Sequence, residues 1–330
     1  MHFSVRMPIS ETTPVGALIK TTLVDFPGRV ACALFLTGCN LRCPYCYNGA
    51  LVTGSESPEQ LTTLGDVLAH LEKRRAVLSG FVISGGEALL YPALPILIQR
   101  AKALGYAVKL DTNGTLPDRL AAHIADSATR PDFIAMDLKT SPARYAELLP
   151  NALSGTAATA TPTVHTNTRS ESATGAQKAT PSPTSAPPQA TPALAESCPT
   201  TAPHSAPPLS IHGAATTAST APAANTAQFA SPAPAADYAV RLAESAALIA
   251  RAYAPDAREW RTVLVPPLVQ RADIAAMAEL LPPDASWQFA QFRNENCLDS
   301  RYNDIFPYSD AEAAALVTYA QSLVAGASLR

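Results

Sequence analysis

The sequence predicts an α/β fold: a partial, open TIM barrel of about six βα units, interrupted by a long disordered insertion. Three observations predict it. Apolar runs of strand length alternate with amphipathic helical stretches, the pattern of βα units around a parallel sheet. The runs are apolar almost throughout, as strands buried on both faces are. One stretch, residues 151–236, is mostly Ala, Thr, Pro and Ser and breaks the alternation.

In chain order, residues 1–14 read as a loose leader and 15–29 (VGALIKTTLVDFPGR) as a short hairpin or extended lead-in. Strands are expected at 30–37, 80–84, 106–111, 132–138, 260–266 and 286–292. Helices are expected at 59–76, 93–104, 117–127, 238–253, 271–281 and 310–325. Pro58, Pro92 and the pair Ser309–Asp310 supply helix-start signals. The barrel therefore spans 15–150 and 237–330. The segment 151–236 has few large apolar side chains and almost no charge. It cannot bury enough surface to offset its ordering entropy and reads as disordered. Its place between the fourth strand and the next helix is tolerable, because long surface insertions cost little closure entropy.

The chain has 330 residues, enough for two domains on length alone, but its composition favours one domain with a foreign segment inside it. A formal net charge of −3 supplies no basic field for nucleic acid. No apolar stretch approaches the length of a membrane span. No charged segment followed by an apolar one and a cleavage site opens the chain. A reducing, oxygen-poor cytoplasm is the expected setting.

The chemistry is concentrated in GCNLRCPYCYN, where Cys39, Cys43 and Cys46 follow the first strand with C-x-x-x-C-x-x-C spacing. Three thiolates on one short loop can ligate three irons of a cubane [4Fe–4S] cluster and leave the fourth iron open to a small molecule. Structural zinc is the alternative. It usually takes four ligands, often as two C-x-x-C pairs, whereas here there is no second pair and no histidine in the loop. Cys32 falls inside a strand and reads as a small core residue. Cys198 falls in the low-complexity stretch, and Cys297 stands alone.

The other strand ends carry polar groups too. The second ends in Ser84-Gly85-Gly86-Glu87, where paired glycines let backbone approach a ligand closely. The third ends in Asp111-Thr112-Asn113-Gly114 and the fourth in Asp137-Leu138-Lys139; the fifth carries Arg261 and Val263. In parallel βα folds, functional groups gather at the carboxyl ends of the strands. Each acid alone could be a helix cap or a solvated loop residue; five such ends in succession point to one site.

With these motifs in view, the chain resembles the radical S-adenosylmethionine (SAM) activating enzymes of glycyl-radical enzymes. It is most similar to anaerobic ribonucleoside-triphosphate reductase activating proteins, and also similar to pyruvate formate-lyase activating enzymes. The resemblance rests on KTTLVDFPG, GCNLRCPYCYN, SGGE, KLDTNG, AMDLK, WRTVLVP and QFRNENCLD, across roughly 16–148 and 237–310. It implies a fold of the radical SAM type and two cofactors, a [4Fe–4S] cluster on Cys39, Cys43 and Cys46, and SAM. Tyr45 would pack by the adenine. Gly85 and Gly86, with Glu87 nearby, would take the methionyl ammonium. Asp111, Asn113, Asp137, Lys139, Arg261 and the backbone at Val263 would contact the methionine carboxylate and ribose or line the pocket.

The implied activity is reductive cleavage of SAM to generate a glycyl radical on a partner, expected to be anaerobic ribonucleotide reductase. A flavodoxin- or ferredoxin-like protein would donate the electron. Two positions depart from the family pattern: Tyr47 stands where His is common, and Ala88 where Pro is common. Two rival functions stay open, a radical SAM enzyme acting on a small molecule or peptide, and a non-catalytic metal-binding regulatory protein.

Overall fold

The computed structural model describes residues 9–150 and 235–330. The first eight residues of the expected leader lie outside it. So does the expected disordered insertion with Cys198, apart from Ala235 and Ala236, which begin a helix.

Among the described residues, nine strands form one sheet. In chain order the elements are β1 (Pro14–Thr22), β2 (Ala31–Leu36), α1 (Gly49–Thr53), β3 (Thr62–Thr63), α2 (Leu64–Arg74), β4 (Gly80–Gly85), α3 (Leu94–Ala103) and β5 (Ala107–Thr112). Then come α4 (Pro117–Ala125), β6 (Phe133–Asp137), α5 (Ala235–Ala252), β7 (Arg258–Leu264), α6 (Arg271–Ala278), β8 (Trp287–Gln291), α7 (Asp310–Leu323) and β9 (Ala327–Leu329). The strand order is β3-β1-β2-β4-β5-β6-β7-β8-β9, so the sheet is open at β3 and β9. From β2 to β9 every pairing is parallel; β1 and β3 extend the edge antiparallel.

The six expected strands are therefore joined by a seventh parallel one. β9 was not expected because three residues after a helix carry no periodicity to read. The lead-in segment becomes β1 and the loop that returns to β2.

Two helix boundaries differ for local reasons. The helix expected at 59–76 starts at Leu64, because Pro58 opens only a single 3-10 turn (Pro58–Gln60). The true cap is Thr63: its hydroxyl accepts from the Asp66 amide, and the Asp66 carboxylate accepts from the Thr63 amide, a reciprocal capping box. The helix expected to reach 281 ends at Ala278, where Leu280 and Leu281 donate to the carbonyls three residues back and tighten the chain into turns.

The two faces of the sheet are unlike. One packs the helices: Cys32, Leu34, Ile83, Leu110, Ile134 and Trp260 share a cluster with helix residues such as Val67, Leu97 and Leu242. The opposite face carries no helix, and its cluster of Phe26, Ala31, Ala33, Val82 and Phe133 contains no helix residue. Those residues are nonetheless buried, as are Lys109 and Glu259 on the same face. The face is covered because the sheet curls around it, leaving a lined interior with an apolar floor where the Phe26 and Phe133 rings lie 5.7 Å apart.

α7 offers a direct check on these boundaries. Ser309 accepts from the Glu312 amide, and Glu312 reaches back to the Ser309 amide at 2.8 Å. Ser309→Ala is expected to cost about 1 kcal/mol in urea unfolding, and Ser309→Asp less than half of that.

Candidate active site

The cysteine loop leaves the end of β2 at Gly38, whose φ of +81° favours glycine. Three neighbours pin it. The Gly38 amide donates to the Leu51 carbonyl on α1, and the Arg42 amide to the Leu148 carbonyl. The amides of Leu298 and Asp299 donate to the carbonyls of Cys46 and Pro44, so the QFRNENCLD segment docks on the loop. Inside the loop, the Arg42 guanidinium donates to the carbonyls of Cys39 and Leu41. The departure at Tyr47 serves the same docking: its hydroxyl accepts from the Arg293 amide at 2.7 Å, and the Arg293 guanidinium covers its ring. Ala88 is buried and opens a 3-10 turn without needing Pro.

Gly85 and Gly86 are required by close approach. A Cβ on Gly86 would lie 1.8 Å from the Gly38 carbonyl oxygen, and one on Gly85, where φ is +112°, would lie 2.2 Å from the Leu36 amide nitrogen. The amides of Gly86 and Glu87 donate to the carbonyls of Leu36 and Gly38, locking the end of β4 onto the root of the cysteine loop.

Glu87 is fully buried, and both its oxygens are occupied. They accept from the Leu89 amide, the Thr112 hydroxyl and the Asn113 amide. Burial pushes its carboxyl up to about 7, against the lowering effect of those donors. In this structure Glu87 acts as a buttress between the ends of β4 and β5. Asn113 extends the tie: its side-chain amide donates to Asn40 at 3.0 Å and reaches the Cys39 sulfur at 3.9 Å.

Asp111, Asp137, Lys139 and Arg261 come together on the concave face with two residues that sequence reasoning did not single out as site residues, Lys109 and Glu259. They form a ladder of alternating charge. Glu259 lies 3.4 Å from the Lys109 ammonium, which is 2.7 Å from Asp111. Asp111 lies 3.0 Å from Arg261; Arg261 is 2.7 Å from Asp137, and Asp137 is 2.9 Å from Lys139. Burial would raise both aspartates, but Arg261 with Lys109 or Lys139 outweighs it and holds both below the ordinary carboxylate range. Burial would likewise lower Lys139, yet Asp137 raises it well above the usual value, helped by Tyr45 and Cys43.

The buried end of the ladder is Lys109–Glu259. The other end, Asp137, Lys139 and Arg261, is about one-fifth exposed and lines a cavity of about 210 Å³ with Val263, Gln288 and Arg330. The signal for the missed pair was present in the sequence: a Lys in AVKLD and a Glu in REWRTVL stand inside strands with buried neighbours.

The thiols share this environment. Burial pushes Cys39 up to about 12, with Glu87 adding to the rise, and raises Cys43 and Cys46 as well, while Lys139 lowers all three. Among the described residues, no three or more His, Cys, Asp or Glu side chains are grouped to hold a metal ion. Three thiols that each take one corner of a cubane need not converge on a point. The residues fit such a cluster. The donor set is three thiols on one pinned loop, hydrogen-bond donors reach Cys39, and the buried Tyr45 hydroxyl has no hydrogen-bond partner among the described residues.

Residues 34–155 match the family model of the Radical SAM superfamily, a family that works with a [4Fe–4S] cluster and SAM. A Methanocaldococcus jannaschii protein, provisionally named a glycyl-radical enzyme activating enzyme, is 32% identical over 136 residues, 41% of this chain and 54% of that protein. The pyruvate formate-lyase-activating enzyme of Staphylococcus epidermidis is 33% identical over 123 residues, 35% of this chain and 49% of that protein. The 7-carboxy-7-deazaguanine synthase of Aquifex aeolicus is 35% identical over 81 residues, 24% of this chain and 35% of that protein. The matches span about half the length of these relatives or less. No described helix is long and apolar enough to cross a membrane.

Two expectations follow from the packing around Glu87. Gly86→Ala forces backbone apart and is expected to lower unfolding stability by on the order of 1–3 kcal/mol, where an unchanged midpoint would contradict the close approach. The Glu87 carboxyl is raised from 4.5 to about 7 on folding. A raised folded value means that its stabilisation is full below about pH 4.5 and is lost as pH rises to about 7. The parent is therefore expected to lose on the order of 2–3 kcal/mol relative to Glu87→Gln between about pH 4.5 and pH 8, read by denaturant unfolding at each pH.

Proposed function

We propose that this chain activates a glycyl-radical enzyme, and that its partner is an anaerobic ribonucleoside-triphosphate reductase. The observation that carries the reading is the meeting of the three-thiol loop with the exposed end of the charge ladder, at the carboxyl ends of an open parallel sheet. The relatives named for pyruvate formate-lyase activation and glycyl-radical enzyme activation support the same class.

Cys39, Cys43 and Cys46 would hold the cluster. A cluster bound there would supply the one electron for reductive cleavage of SAM. The chain's own residues orient and shield. Lys139 and Arg261 offer cations to a carboxylate, Asp137 offers an acceptor to ammonium and hydroxyl groups, and Asp111 holds Arg261 from beneath. Gly85, Gly86 and Val263 present backbone without bulk, and Tyr45 supplies a flat apolar face with a hydroxyl free to pair. Holding the reactants in one geometry is a contribution the protein makes to such a step. The unclosed sheet leaves room for a glycine-bearing loop of a large partner. A flavodoxin- or ferredoxin-like donor in an oxygen-poor cytoplasm completes the proposal.

A second reading, action on a small molecule, is favoured by one finding: the match to 7-carboxy-7-deazaguanine synthase. Mixing anaerobically reconstituted protein with SAM, a reductant and the reductase separates the two. Activation predicts a glycyl-radical doublet on the reductase and one 5′-deoxyadenosine per radical; turnover of a deazapurine precursor with no radical on the reductase would contradict it.

The residue roles have their own test. Cys43→Ala is expected to abolish iron uptake and SAM cleavage. Asp137→Ala and Lys139→Ala should keep about four irons per chain. Each is expected to weaken SAM binding at least about tenfold, since truncating one partner of a desolvated charged contact costs on the order of 2–5 kcal/mol. Binding within twofold of the parent would reject the assignment.

A further inference from the structure

We infer that Lys109, braced by Glu259, is a positioning residue that sets the SAM-facing charges from beneath, through Asp111 and Arg261. The inference rests on the SAM reading above. Lys109 is completely buried, which is rare for lysine. Its ammonium is held by Asp111 at 2.7 Å and Glu259 at 3.4 Å, and its Nζ lies 5.8 Å from the centre of the Phe133 ring. Phe133 and Phe26 form the apolar floor below it. Lys109 therefore sits at the dry end of the interior, away from the cavity lined by Asp137, Lys139 and Arg261.

Its effect on that cavity passes through two contacts. One oxygen of Asp111 is taken by Lys109 and the other by Arg261. The carboxylate thus has one orientation, and that orientation fixes the Arg261 guanidinium, whose Nε faces Asp137. Arg261 and Asp137 sit side by side in the pairing of β6 with β7, so the whole ladder keeps the strand register. Six charges alternate, three of each sign. Without Lys109, Glu259 and Asp111 are two buried carboxylates with Arg261 as the nearest cation. Coulomb attraction in a water-poor interior would draw the guanidinium down toward them and away from Asp137. Stability does not account for the arrangement, because a buried ion pair contributes little net stability against an apolar replacement of the same size.

The test compares Lys109→Met, Lys109→Arg and the charge-balanced double variant Lys109→Met/Glu259→Gln with the parent, all reconstituted anaerobically. The readouts are iron per chain, thermal unfolding, SAM affinity by equilibrium dialysis, and KM against kcat for SAM cleavage. Lys109→Met should raise both the SAM Kd and KM at least about tenfold, the size expected for losing a buried charge contact, with iron content and kcat near the parent's. Lys109→Arg should recover most of the affinity. Should Lys109→Met fail to fold, the double variant keeps the interior neutral and should still bind SAM several-fold more weakly, because Asp111 has lost its tether. SAM affinity within twofold of the parent in the folded variants overturns the inference and leaves the SAM site standing. A parent protein that binds no SAM overturns that site and this inference with it.

Discussion

Arg261, shared between the carboxylates of Asp111 and Asp137, is the contact on which the concave face depends. It is the largest influence favouring the ionised form of both carboxylates, which stand on adjacent strands. Burial alone would push both aspartates up; the shared guanidinium, with a lysine beyond each, pulls both below their usual range. Asp111 and Arg261 stand on β5 and β7 with β6 between them, so their contact crosses a strand. Neighbouring strands lie roughly 5 Å apart, so the long Arg261 side chain spans about two spacings. The charges therefore cross-link strands whose concave face no described helix covers.

The second half of the site is built from backbone. The cysteine loop is held by amides and carbonyls of α1, Leu148 and the 298–299 segment. It is fastened to the strand ends by Gly85, Gly86, Glu87 and Asn113, so a loop of eight residues from Cys39 to Cys46 behaves as part of the sheet. Lys139 links the two halves, pairing with Asp137 while lowering the three thiols. The three thiols and the exposed end of the ladder thus share one electrostatic environment.

Much of this was legible in the sequence, and the rest was hidden for identifiable reasons. Continuous apolar runs announced the parallel strands from β2 to β8, since burial on both faces leaves a composition that few other elements share. The cysteine spacing and the polar strand ends announced the mouth, because chemistry imposes residue type there. β9 was not legible: three residues carry no period. The start of α2 was misplaced because Pro58 is a stronger signal than the Thr63–Asp66 capping box that sets it. Lys109 and Glu259 stood in plain view, but a charge in a strand reads as an exception until its partners are known; Asp111 is two positions from Lys109, while Glu259 lies 150 positions away. Glu87 shows the converse. Its motif marks a ligand site, while its carboxylate is spent on three donors that hold the site together.

The most direct measurement is electron paramagnetic resonance of the anaerobically reconstituted, reduced protein before and after adding SAM. An S = 1/2 signal of a reduced [4Fe–4S] cluster, shifted in its g values by SAM, is the expected result, since a cluster held by three cysteines has one iron free for the added ligand. A reduced-cluster signal that SAM leaves unmoved, or a protein that takes up zinc and no iron, would contradict it.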